Sequence, residues 1–509
     1  MTRSIALTTS RRRRRLATVR VAVAAAAGWS AGCAHPHAPA VLPAQAFDRT
    51  RPPILGPPPA LVLPAVTRRV LPNGLQLVMV ERRGLPLVDF VLVARTGTEA
   101  DAADKAGVST LAATLLTRGT TSRSATAVAE QQALLGVSIR TASTWDRTTI
   151  ALHTPTAQLD SALALFSDVA LHPAFAAEEV ERAKRQRATQ LVELSDEGPF
   201  VASRAFDAIL YGAAHPYGRS PLGTEASVAA ITRQDLQASY ATAFQPRNCV
   251  LIAVGDITPD DLERRVRGVF GNWVAPPAAS PRVSAPATSL ALSLAPSAAT
   301  TIYVIDKPDA PQSSMRIGSV GAARSTSDYF PLIVLNSALG GAFTSRLNQN
   351  LRETHGYTYG AFSDFDMRRE AGPFTAEAEV VATKTDSSLI EVMRELRAIR
   401  DTMPTAELEK TKRYLELQLP QDLETTTDMA QALVPVVLYG LPDDFYTTYQ
   451  LHVAAVTQAD VQRVARQYID PGKLTIVIVG DRQSIESQLR ATGAAPVQRR
   501  GAAGEALTQ

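Results

Sequence analysis

Apolar and polar positions alternate along 70–80 and 87–94, which predicts two strands, the first entered through the Asn73-Gly74 turn. From there apolar residues recur at three- and four-residue intervals, predicting helices over 108–116, 126–135, 158–169, 178–193 and 198–211. Strand-like runs return at 138–141, 148–154 and 249–254. Two stretches carry no such period. Residues 34–66 are rich in Pro and Ala and read as an extended tether, and 275–299, rich in Pro, Ala and Ser, read as an interdomain linker. The apolar pattern fades again over 491–509, which predicts a flexible tail.

The two sides of the linker repeat each other. Phe244-Gln-Pro246-Arg-Asn-Cys-Val-Leu-Ile-Ala-Val-Gly-Asp256 matches Ile469-Asp-Pro471-Gly-Lys-Leu-Thr-Ile-Val-Ile-Val-Gly-Asp481. Pro246 and Pro471 stand 225 residues apart, and so do Pro86 and Pro311 near the start of each half. Asp160-Ser-Ala-Leu163 and Asp386-Ser-Ser-Leu389 fall on nearly the same offset. One offset held at both ends means a duplicated α+β domain, over 67–274 and 300–490, since units this long are not solenoid repeats.

Within the second domain the stretch Leu339–Asp366 stands out. A helix-like run over 344–353 ends near Gly356, and a strand-like alternation follows through Tyr357, Tyr359 and Ala361. Arg352 closes the helix and Tyr359 lies on the strand that leaves the turn, a layout that can aim a guanidinium and a phenol at one point. On residues alone the plainer reading is preferred, a helix end with a dipole-favoured cation and a half-buried tyrosine.

Composition narrows the class. The chain has 509 residues, 45% hydrophobic and 20% charged, with a net charge of +3. That is a globular composition with room for two cores, and its near-neutral balance gives no reason to expect nucleic acid. The N-terminus has Arg11–Arg15, an apolar run over 21–27, and Ser30-Ala31-Gly32-Cys33, the order of an export signal. The Ala-Gly-Cys ending resembles a bacterial lipoprotein signal, with Cys33 the acylated residue. This implies an envelope protein facing the periplasm, held to the outer membrane by a lipid anchor. Ser10-Arg11-Arg12 also resembles a twin-arginine signal, and an uncleaved anchor is the alternative. Cys249, in an apolar run, reads as a small buried hydrophobe.

Leu71-Pro-Asn-Gly74, His215-Pro-Tyr-Gly218 with Leu222-Gly-Thr224, the two Val-Gly-Asp strand ends and Leu351-Arg352-Glu353-Thr-His-Gly356-Tyr-Thr-Tyr359 together resemble the pitrilysin/insulinase family of inverted zinc metallopeptidases, over about residues 67–490. The resemblance implies an α+β fold of two tandem homologous domains. Each is a mixed, mainly antiparallel sheet with helices packed on one face, and the pair forms a half clamshell. In active members the helix after the second strand carries H-x-x-E-H, whose two histidines bind zinc while the glutamate is the general base. Here Gly107 and Gly119-Thr120 set the register. The ligand positions hold Thr110 and Thr114, and the base position holds Ala113. The third ligand of active members falls near Gln190 or Leu191. Neutral hydroxyls are poor zinc ligands and alanine moves no proton, so no metal is expected in this chain.

The seven histidines offer no substitute: His35, His37, His153, His172, His215, His355 and His452 include no pair at helix-face ligand spacing. His215 reads as structural, and Glu178, Glu179 and Glu181 as a solvated helix face. By the same resemblance, Arg352 and Tyr359 reach a zinc site held by another polypeptide, with Tyr359 donating to the oxyanion of the scissile carbonyl and Arg352 steadying the same region. Two functions follow from this. One is the non-zinc subunit of a heterodimeric peptidase, whose partner carries H-x-x-E-H and the zinc and which receives peptide as an added strand. The other is an inert structural or peptide-binding member of the family.

Overall fold

The alternating runs of the first half close into a six-stranded sheet in the computed structural model, which describes residue 56 and residues 61–274 and 299–507. Cys33, His35, His37 and most of the expected linker lie outside the described residues. The strands are β1 (Val66–Val70), β2 (Gln76–Glu81), β3 (Leu87–Ala94), β4 (Ser138–Ser143), β5 (Thr148–Pro155) and β6 (Cys249–Gly255), in the order β1-β2-β6-β3-β5-β4. The strand expected over 70–80 is in fact two. Asn73-Gly74 is the turn of a hairpin, with Gly74 N donating to Leu71 O at 2.8 Å and β1 antiparallel to β2. β1 therefore begins inside the stretch expected as tether.

The second half repeats this sheet with β7 (Thr301–Asp306), β8 (Gln312–Val320), β9 (Thr358–Phe365), β10 (Pro373–Val381), β11 (Thr475–Gly480) and β12 (Val497–Arg500), in the order β12-β7-β11-β8-β10-β9. The offset read from the sequence is the structural one: β3 and β8 begin at Leu87 and Gln312, and β6 and β11 end at Gly255 and Gly480. One pair is parallel in the first sheet, β2 with β6, and two in the second, β7 with β11 and β7 with β12. The outermost strand differs, coming from the N-terminal side in the first sheet and from the C-terminal side in the second.

β12 corrects the flexible tail expected over 491–509. It pairs parallel to β7, Val497 is buried, and Arg499 meets the Glu486 carboxylate at 3.1 Å. Further on, Arg204 donates to Ala502 O at 2.8 Å. One apolar residue and a charge cluster hold this segment, so hydropathy did not reveal it.

Helices α1 (Val108–Leu115), α2 (Ala125–Leu135), α3 (Leu159–Leu171) and α4 (Ala177–Ser195) cover one face of the first sheet, where Phe90, Leu92, Leu111, Phe166 and Phe270 form the centre of its core. The next helix, α5 (Gly198–Tyr211), crosses to the other half. Its Val201, Ala205 and Phe206 pack on Ile305, Val477 and Val479 of the second sheet. The second half replies with its Thr426–Tyr439 helix, whose Met429, Leu433, Val434 and Val437 lie on Val78, Val91, Val250 and Ile252 of the first sheet. Apart from this exchanged pair, each half keeps its helices on one face of its own sheet, as expected, and the other face is covered by the opposite half.

A buried carboxylate pins this exchange. Asp146, in the β4–β5 turn and 2% exposed, accepts from Tyr217 OH at 3.1 Å, Tyr439 OH at 2.9 Å and Arg369 N at 2.7 Å. Arg368 lies over the Trp145 and Tyr217 rings, 4.3 and 4.6 Å from their centroids. Both halves lie in one compact unit, Pro58–Gln509.

Candidate functional site

α1 starts where two backbones nearly touch. Gly107 has φ +94° and Gly223 φ +78°, and a Cβ on either would lie under 3 Å from a carbonyl, Leu222 O or Ala106 O. Only glycine fits there. The motif Leu222-Gly-Thr224 is thereby locked against the head of α1, and Thr224 caps the short helix that follows.

That contact fixes the surroundings of the three substituted positions. Thr110 is buried, and its hydroxyl donates to Pro221 O at 2.8 Å, with Gly107 O a second acceptor at 3.0 Å. Thr114 turns its hydroxyl back onto Thr110 O at 2.9 Å. Ala113 is 3% exposed, its methyl group packed away from solvent. The space beside Thr110 is taken by a cation. Arg187 of α4, 8% exposed, donates from Nη1 to Thr110 Oγ1 at 2.9 Å and to Leu222 O at 3.2 Å. Burial holds its guanidinium below the usual arginine pKa. No carboxylate forms an ion pair with it among the described residues.

Of the two candidates for the third position, Leu191 is buried and Gln190 is exposed. These residues do not fit a zinc ion: the hydroxyls are committed to carbonyls, the base position is a methyl group, and the adjacent charge is positive. Among the described residues no group of three or more His, Cys, Asp or Glu side chains is placed to hold a metal.

The corner in the second half is more irregular than the expected helix over 344–353. Its last turns, Asn348–Thr354, are π-helical, a widened winding often found at functional positions. The chain then reverses, Tyr357 N donating to Leu351 O at 2.8 Å. Arg352 is half-buried and lies 4.4 Å from the centroid of the exposed Phe343 ring, with Glu353 the nearest carboxylate at 3.7 Å. β9 is an edge strand bonded only to β10, and its register slips. Thr358 stands opposite Val380 and Ala361 opposite Ala378, so Tyr359 and Gly360 share the place opposite Glu379. Such a bulge re-aims a side chain. Thr358 and Ala361 stay buried, while Tyr359 is turned out and 91% exposed. Arg352 and Tyr359 flank the same turn without a hydrogen bond between them.

The remaining residues singled out in the sequence are structural. His215 accepts from Tyr217 N at 3.0 Å and stacks on Tyr211, and burial, helped by Arg219 and Arg368, lowers its pKa and keeps it neutral. Glu179 corrects the reading of a wholly solvated face: it is buried, with Arg182 at 3.5 Å, whereas Glu178 and Glu181 are exposed. Cys249 is buried and burial raises its thiol pKa beyond reactivity. His153 lies 3.0 Å from Asp89, which also accepts from Thr426 and Thr427 of the exchanged helix. Arg187 and Asp146 were missed. Arg187 was detectable, since it interrupts the inward stripe Val180, Ala183, Leu191 of α4. Asp146 sits in a turn and has no such pattern.

Residues 78–223 match the family described as Insulinase (Peptidase family M16), and residues 230–415 the family described as Peptidase M16 inactive domain. The chain belongs to the insulinase family. As an insulinase-family member it is 29% identical over 448 residues to an uncharacterized zinc protease of Mycobacterium tuberculosis, covering 85% of this chain and 98% of that protein. It is 21% identical to a non-peptidase homolog of Helicobacter pylori, over 79% and 91% of the two chains. The crystal structure of a peptidase M16 inactive domain from Pseudomonas fluorescens superposes with a TM-score of 0.74 at 26% identity, over 82% of this chain and 98% of that one. Within the family this chain is of the inactive type.

Proposed function

We propose that this chain is the non-zinc subunit of a heterodimeric zinc metallopeptidase that hydrolyses peptides or proteins on the periplasmic side of a bacterial envelope. The observation that carries the proposal is the contrast between the two halves. The first closes its hydrolytic position with Arg187 and a methyl group, while the second spends a β-bulge to present Tyr359 to solvent beside Arg352. An exposed phenol on an edge strand gains little for stability, so its display suits a role toward something outside the chain. In the assembled chamber the partner supplies the hydrolytic centre. Tyr359 donates a hydrogen bond to the oxyanion as it forms, and Arg352 steadies the peptide nearby. Cys33, acylated, tethers the subunit through the segment before β1.

Co-expression with an H-x-x-E-H homologue from the same genome tests this by hydrolysis of a fluorogenic peptide library. Tyr359→Phe removes one transition-state donor and should lower kcat by about a hundredfold with KM little changed, the scale of an oxyanion-hole donor. Arg352→Ala should reduce kcat/KM as well. A mixture that cuts peptides equally well with both variants defeats the assignment of this pair. In the same strain the chain should fractionate with membranes, and Cys33→Ser should release it; a native chain found free of membranes would reject the anchor.

A second reading is an inert structural or peptide-binding member, which the likeness to a protein named a non-peptidase homolog favours. It predicts a complex, or none, whose hydrolysis ignores Tyr359 altogether.

A further inference from the structure

The guanidinium beside Thr110 has unusual surroundings for a buried charge. Arg187 is nine-tenths buried, yet its hydrogen-bond partners are a hydroxyl and a carbonyl, and no carboxylate pairs with it among the described residues. A buried cation without a counter-ion is costly and persists only where the fold gains from it. The gain here is a three-way tie. Through Nη1 the side chain joins α4 to Thr110 of α1 and to Leu222 O, while Thr110 itself holds Pro221 O. Arg187 also shares its helix face with the buried Leu191, one turn on and one of the two positions to which the family resemblance assigns a third ligand.

We infer that Arg187 occupies the metal's place in this fold, cross-linking α1, α4 and the 221–222 segment in the way a bound ion would and excluding a divalent cation by its own charge. The position is therefore closed and not merely stripped of ligands. Restoring the ligands alone leaves zinc binding weakened. This holds whether or not a partner subunit exists.

The test rebuilds the site twice in the full chain. One variant carries Thr110→His, Ala113→Glu, Thr114→His and Leu191→Glu with Arg187 kept; the other adds Arg187→Ala. Zinc(II) is the probe, its affinity measured by competition with a chromophoric chelator, and thermal unfolding is followed alongside. Zinc affinity should be at least about tenfold higher without Arg187, by relief of like-charge repulsion. Equal binding by both variants, or binding by neither, overturns the exclusion. If the rebuilt chains do not fold, Arg187→Met in the natural chain decides the matter. Its Tm should fall by about 2 °C or more, while EDTA leaves the natural chain's Tm unmoved. An unchanged Tm in Arg187→Met, or a natural chain that EDTA destabilises, rejects the inference.

Discussion

A threonine hydroxyl donates once and accepts up to twice; Thr110 donates to Pro221 O and accepts from Arg187, so its oxygen already faces a cation that would repel a metal. The same accounting applied to Glu99 gives a pH dependence. Its carboxylate accepts from Gly97 N at 2.9 Å and lies 3.4 Å from Arg369, but burial outweighs both and raises its pKa from 4.5 to about 8. Burial likewise raises Asp101 and Asp207, each to about 6. A carboxyl whose folded pKa lies above its unfolded value binds a proton that the unfolded chain has released. Its contribution to stability is therefore full below the unfolded pKa and is lost as pH rises through the folded one. Denaturant unfolding should show stability falling between about pH 5 and pH 8.5. Glu99→Gln keeps an acceptor for Gly97 N and cannot ionise, so it should remove up to about one proton from that slope. A variant with the natural slope would show that Glu99 does not set it.

At the scale of elements, the β4–β5 turn, the β9–β10 turn and the end of the Thr426–Tyr439 helix meet on Asp146. Asp146→Ala would leave two phenols and a backbone N–H buried without their acceptor. A loss of about 3 kcal/mol in unfolding free energy is expected, and a loss below about 1 kcal/mol would mean the turns are held by the Arg368–Trp145 stacking instead. None of this was visible in the sequence, because a turn aspartate looks the same whether it caps its own loop or joins two domains. What the sequence did carry was periodic. The runs at 87–94 and 198–211 became β3 and α5 with those bounds, and the 225-residue offset became the spacing of equivalent strands in two sheets of matching order. Hydropathy could not tell which sheet α5 would cover, since its apolar stripe suits either. The irregular elements escaped for a related reason. The π-helical turn before Tyr359 and the bulge at Tyr359-Gly360 are departures from period, and their signal is geometric.

At the scale of the whole molecule, the exchange of helices decides whether the two halves are separable. Sequence duplication invites the view of two domains that fold alone and dock afterwards. The packing opposes it. The first sheet's second face consists of Val78, Val80, Val91, Val93, Val250, Ile252 and Val254, an apolar surface whose cover comes from residues 429–437 of the other half. The second sheet likewise relies on Val201, Ala202, Ala205 and Phe206 of α5, although α5 would stay with the first half if the chain were cut in 275–298. A free first half would expose seven contiguous β-branched side chains and strand α5 without its sheet, an aggregation-prone surface. Expressed alone, residues 61–274 and 299–507 should each be insoluble or associate without a cooperative melt. Co-expressed as separate polypeptides, they should purify as a one-to-one complex that melts in a single transition. If either fragment proved monomeric with its own cooperative melt, the halves would be docked domains, and the Thr426–Tyr439 helix a removable contact. An inseparable pair means that the closed position beside Arg187 and the displayed Tyr359 are held in one rigid body. Tyr359 is then displayed only when the whole chain has folded.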